Sequence, residues 1–227
     1  MNDPRREKYR AVFHRLNEMY GEPVWQSHGP PLDELVSTIL SQATADINTE
    51  RAYQALRERY TDWESVMNAP IGDVIATIRP AGLANMKGPR IQNALRTIYR
   101  ERGELSLDFL AEMPLDEAMD WLTSIEGVGP KTASIVLLFS LGRPVFPVDT
   151  HVHRVSGRLG LIPPRTTADK AHQILAGLGE PETYYALHMN LIRHGRAVCR
   201  ARNPKCAVCP LQPQCDYYKA IRSGPAG

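Results

Sequence analysis

Four cysteines, one lysine and one aspartate are the residues whose type and placement can do chemistry. Cys199, Cys206, Cys209 and Cys215 are the only cysteines of the chain, in one Cys-x6-Cys-x2-Cys-x5-Cys stretch. Four thiolates hold either a zinc ion or a 4Fe–4S cluster. A zinc ribbon has two close pairs, whereas here only Cys206 and Cys209 are close. Lys131 follows Gly127-Val128-Gly129-Pro130, where a helix is predicted to begin. A cation there opposes the helix dipole, which disfavours a plain surface lysine and favours a nucleophile. A lysine amine has a reference pKa near ~10.4 and must lose its proton before it can attack carbon and form a Schiff base. Asp149 stands in Val148-Asp149-Thr150-His151, at another predicted helix start. It reads equally as an N-cap and as a carboxylate that stabilises positive charge or assists a nucleophile, and one residue can do both.

Two further features concern anions. From Thr183 to Cys215 there is no acidic residue, while Arg193, Arg196, Arg200, Arg202 and Lys205 all fall there. The net charge is only +2, so a nucleic-acid footprint rests on where charge is placed rather than on the total. Taken alone, such a run is also what a solvated basic tail looks like. The Gly127-Val128-Gly129 turn lets backbone approach a ligand closely, and Pro130 suits the first position of the following helix. Amides at such a turn suit a phosphate and read no base sequence. The same glycines also fit an ordinary helix–helix turn.

The elements that must position these residues read as helices. Asp3-Pro4 is a cap and first-turn proline, followed by Tyr9, Val12, Phe13 and Leu16 at helical spacing. Leu35, Val36, Ile39 and Leu40 mark a second helix, and Asp46 a cap for a third. Thr61-Asp62-Trp63-Glu64 has capping-box spacing. Gly82-Leu83-Ala84-Asn85 is a predicted turn, with helices from about Pro89 to Arg102 and from about Leu115 to Ile125. Only Arg143 to Val148 looks extended, and its prolines make it a loop. The expectation is an all-α fold. The charged start, Met1 to Lys8, has no apolar stretch behind it, and no apolar run is long enough to span a bilayer. A soluble, cytoplasmic protein without membrane contact is expected, in which four cysteines are poor candidates for disulfides.

The run Gly127-Val128-Gly129-Pro130-Lys131-Thr132-Ala133, then Val148-Asp149-Thr150-His151, then the four-cysteine loop, resembles the endonuclease III family of helix-hairpin-helix DNA glycosylases. The likeness extends over residues 30 to 218. It implies that Lys131 is the nucleophile and Asp149 its catalytic partner, and that the cysteines hold a 4Fe–4S cluster. It makes Gly127, Val128, Gly129 and Thr132 DNA-binding through the hairpin, and Arg200, Arg202 and Lys205 a cationic ridge for the DNA backbone. Leu83 resembles the family's wedge residue and Gln42 its plug. Here the chain departs from the pattern: Ala43 occupies the position where the family usually carries glutamine, and Glu126 a position where proline is common.

The implied architecture is two helical lobes with a DNA-binding cleft between them. Residues 23–133 would form a six-helix, barrel-like lobe ending in the helix-hairpin-helix, and residues 1–22 plus 134–227 the cluster lobe. The implied activity is that of a bifunctional DNA glycosylase and AP lyase. It would remove oxidised pyrimidines of the thymine glycol type from double-stranded DNA, cut abasic sites by β-elimination through a lysine Schiff base, and act as a monomer.

Overall fold

A computed structural model describes residues 3–223. The outermost residues of the expected cluster lobe, 1–2 and 224–227, lie outside these. The helices run in order α1 (Pro4–Tyr20), α2 (Pro31–Ser41), α3 (Asp46–Arg59), α4 (Trp63–Asn68), α5 (Ile71–Thr77), α6 (Ala84–Arg102), α7 (Leu115–Ser124), α8 (Pro130–Ile135), α9 (Thr150–Leu159), α10 (Ala168–Leu178), α11 (Tyr184–Ala197) and α12 (Asp216–Ser223). The fold is all-α, with no strand among the described residues. None of the described helices is long and apolar enough to cross a membrane.

Contacts divide the chain into two compact units. One is Gln26–Arg143; the other joins the chain through Trp25 to everything from Pro144 onward. The second junction follows Arg143 rather than residue 133, and the reason is packing. After α8 the chain winds on as a π-helical turn over Val136–Ser140. Ala133, Val136, Leu137 and Leu138 are buried, and α8 and this turn both pack on α2. The segment after the hairpin therefore completes the first core.

In the unit Gln26–Arg143, α2 lies against α3, α6 and α8. Leu32, Leu35, Val36, Ile39 and Leu40 are all buried, each contributing on the order of 1.5–3 kcal/mol as an upper estimate. α6 begins at Ala84, five residues before Pro89, where the sequence placed its start. Its N-cap is Leu83 in the left-handed conformation, so the turn is closed by backbone geometry rather than by proline. Pro89 lacks an amide to donate to the carbonyl of Asn85, an exposed residue whose carbonyl water can satisfy. Asp46 is the first residue of α3 rather than its cap.

In the other unit, Tyr9, Val12, Phe13 and Leu16 of α1 are buried as their spacing predicts, and α1 packs on α11 and α10. The Tyr9 hydroxyl pairs with Thr183 Oγ1 at 2.7 Å, and Lys8 Nζ reaches Asp216 at 2.8 Å. These contacts close the N-terminal helix onto the C-terminal half of the chain.

Candidate nucleic-acid interface and reactive residues

The hairpin is closed by main-chain hydrogen bonds. α7 stops at Ser124, the amide of Val128 donates to the carbonyl of Ile125 at 3.0 Å, and Ala133 to Gly129 at 3.0 Å. Gly127 has φ 85°, a conformation that suits glycine. A Cβ there would also sit 3.0 Å from the stem of Arg90. Gly127 and Gly129 are exposed, whereas Val128 and Thr132 turn into the core, so neither of these two presents its side chain to a ligand. Lys131 is exposed in the first turn of α8. Among the described residues it is held by no ion pair.

Two turns of the same unit present the wedge and plug candidates. Leu83 is 52% exposed with φ 50°, so it projects instead of filling the core as an ordinary turn leucine would. Gln42 ends α2, and its Oε1 accepts a hydrogen bond from Arg90 Nη1 at 3.0 Å. Ala43 beside it is exposed, with φ 53°. Arg90 thus touches both the plug candidate and the hairpin glycine.

Asp149 is the N-cap of α9, and its Oδ1 accepts the amide of Val152 at 2.7 Å. The loop leading to it is gripped from two helices. His172 Nδ1 lies 2.8 Å from the carbonyl of Phe146, and His188 Nδ1 lies 2.9 Å from that of Pro147. A carbonyl only accepts, so both rings carry the proton on Nδ1.

The four cysteines line one small cavity whose walls include Val198, Pro204, Tyr217 and Tyr218. Among the described residues, no three His, Cys, Asp or Glu side chains converge as ligands of a single ion. Burial pushes the Cys209 and Cys215 thiols up, and the neighbouring thiols add to this. Four thiolates in such a cavity repel one another, and a cationic centre between them reverses that penalty. The four cysteines lining one cavity are a donor set of the kind that holds a thiolate-bound metal group. Several polar nitrogens already face the sulfurs. Arg158 Nη1 is 3.3 Å from Cys199 Sγ, the Tyr218 amide is 3.4 Å from Cys215 Sγ, and His194 Nε2 is 3.5 Å from Cys209 Sγ. Burial pushes His194 down to about 4, so its ring is neutral at neutral pH. Arg200, Arg202 and Lys205 are exposed on this loop.

The sequence reading passed over three structural side chains. Arg154 Nε donates to the carbonyl of Cys199 at 3.1 Å, and Arg158 Nη1 to that of Arg200 at 2.7 Å. These residues, four apart on α9, tie the helix capped by Asp149 to the cysteine loop, and that i,i+4 spacing was the available signal. Lys87 is buried in α6. Its spacing with Ile91, Leu95 and Ile98, all buried, places it on the apolar stripe of the helix.

An all-α chain with a glycine hairpin, an exposed lysine after it and a cysteine loop has the make-up of a helix-hairpin-helix DNA repair protein. Residues 36–181 match the family model described as HhH-GPD superfamily base excision DNA repair protein. The chain is 34% identical over 194 residues to endonuclease III of Thermotoga maritima, covering 86% of each. Its fold matches the structure of a non-covalent endonuclease III–DNA complex with a TM-score of 0.81 and 27% identity over 98% of this chain and 100% of that one. A trapped endonuclease III–DNA covalent intermediate matches with a TM-score of 0.82, at the same identity and coverage. The chain belongs to the endonuclease III family of the HhH-GPD superfamily, and it is a DNA glycosylase of base excision repair.

Proposed function

We propose that this glycosylase is bifunctional, removing oxidised pyrimidines of the thymine glycol type and then cutting the strand by β-elimination. The observation that carries this reading is Lys131: an exposed amine, held by no ion pair among the described residues, one turn after amides that suit a phosphate. In this reading DNA phosphates dock on Gly127 and Gly129 and on Arg200, Arg202 and Lys205. The lesion is flipped out of the stack, with Leu83 as wedge and the Gln42–Ala43 turn beside the vacated space. Nζ of neutral Lys131 attacks C1′, and the base leaves with its bonding electron pair and takes up a proton. The C1′–O4′ bond then opens, O4′ takes up a proton, and the Nζ lone pair forms the C1′ iminium. Loss of a C2′ proton then breaks the C3′–O bond and releases the 3′ phosphate. Asp149, fixed by its cap, is assigned the carboxylate role by the family motif. Cys199, Cys206, Cys209 and Cys215 would hold a 4Fe–4S cluster whose contribution is structural, fixing the basic loop. The protein acts as a monomer.

Borohydride trapping on a thymine glycol duplex tests the reading. A covalent adduct is expected with the wild type and none with Lys131→Ala. An active wild type that releases the base without ever forming an adduct would leave a glycosylase without the lyase. The purified protein is expected to be brown, with broad visible absorbance that Cys206→Ser removes; a colourless protein carrying one zinc overturns the cluster.

A further inference from the structure

Lys87 is 1% exposed, and among the described residues it forms no ion pair. Its ammonium bonds two main-chain carbonyls, Leu40 at 2.7 Å and Ala81 at 2.8 Å. Burying a charge without a counter-charge is costly, and a methionine would fill the same slot without that cost. The ammonium supplies what methionine does not, two directed hydrogen bonds, and the carbonyls it selects are informative. Leu40 lies in the last turn of α2, among the carbonyls a helix leaves without an internal partner, two residues before Gln42. Ala81 is two residues before Leu83, across Gly82 with φ 64°. The backbone amide of Lys87 also donates to the carbonyl of Leu83 at 3.0 Å. One residue therefore holds the wedge turn at both Ala81 and Leu83 and, through the same ammonium, the root of the plug turn.

We infer that Lys87 is a positioning residue that locks the Leu83 turn and the Gln42–Ala43 turn into one rigid reading head. This rests on the proposal that both turns enter DNA. Neither turn then shifts without the other, so insertion of the wedge carries the plug turn to a set place. The cost of base extrusion is met by one preformed surface rather than by two loops ordered separately.

Hydrogen exchange of the free protein tests this without catalysis, comparing wild type with Lys87→Met. The hydrogen-bonded amides of Gln42 and Thr44 in one turn, and of Gly82 and Met86 in the other, are expected to exchange about tenfold faster or more. Amides of α4 and α7 should be unchanged. Faster exchange in one turn only, or equally throughout the unit, overturns the tie. Should Lys87→Met fail to fold, the wild type decides: turns held by one ammonium open together with matching protection, and unequal protection overturns the inference.

Kinetics supply the functional arm. Single-turnover base release by Lys87→Met is expected to slow about tenfold on a paired lesion. It should slow much less where the lesion faces an abasic gap and is already unstacked. Equal slowing on both duplexes shows a merely structural lysine. A wild type inactive on both refutes the functional reading, while the exchange result still decides the tie.

Discussion

The carboxylate of Asp149 accepts the amide of Val152 at 2.7 Å, so any substitution there alters a helix cap before it alters chemistry. Asparagine caps about as well as aspartate, whereas alanine costs about 1 kcal/mol. Asp149→Asn is therefore expected to melt with the wild type while losing about 10²-fold or more in base release. Asp149→Ala should lose both. If the asparagine variant keeps full activity, Asp149 is only a cap. Capping residues such as this were legible in the sequence because a cap is a local event: Asp3 and Asp149 each bond an amide two or three residues on, whereas the capping box read from Thr61 is displaced by one residue, Asp62 being the cap that accepts the amide of Ser65. Lys87 was not legible in the same way. A lysine in a helix reads as part of the polar face, and the carbonyl it seeks on Leu40 is 47 residues away. Arg154 and Arg158 escaped for the same reason, since their partners are main-chain carbonyls more than forty residues distant.

The hairpin and the wedge turn are elements in which backbone conformation sets what the side chains can do. Gly127 sits at φ 85° with the Arg90 stem against it. Gly127→Ala is expected to cost about 1–2 kcal/mol and to weaken binding to undamaged duplexes of any sequence, measurable by chemical denaturation and by anisotropy. Leu83 presents the opposite case. A leucine at φ 50° is held against its own preference by about 1–2 kcal/mol, and its exposed side chain gains little from burial. Leu83→Gly should therefore leave the melting temperature no lower than that of the wild type, while base release from a paired lesion falls about tenfold or more. A parallel loss of stability and activity would make Leu83 an ordinary packing residue. Glycine and proline punctuation located both turns, but not the left-handed leucine. Nothing in residue type marks it, because the surrounding turn rather than the side chain imposes the conformation. The same blindness moved the start of α6 from Pro89 back to Ala84.

Across the whole molecule, the positive charge is concentrated rather than abundant. The net charge is +2, yet the stretch from Thr183 to Cys215 has no acidic residue, and its Arg200, Arg202 and Lys205 are exposed. Periodicity foretold an all-α chain; the grouping of the N-terminal helix with the C-terminal half was implied by the family resemblance alone, and neither located the junction after Arg143. That junction depends on which core the residues beyond the hairpin complete, and Leu137 and Leu138 carry no local label for it. Charge placement was the more legible property, because a run without acids can be compensated only by carboxylates from elsewhere in the chain. Its consequence is measurable as a salt slope. Each phosphate neutralised by a cation contributes about −0.9 to the slope of log K against log salt on duplex DNA. Replacing Arg200, Arg202 and Lys205 together by glutamine should make the slope shallower by about 2–3 if all three meet phosphates. Affinity should fall alike on damaged and undamaged duplexes, because phosphate contacts carry no sequence or lesion information. The cysteines are untouched by these substitutions, so the visible absorbance expected for a bound cluster should be the same in variant and wild type. A slope that does not change would make the run a solvated surface. A loss confined to damaged DNA would place these side chains at the lesion rather than along the backbone.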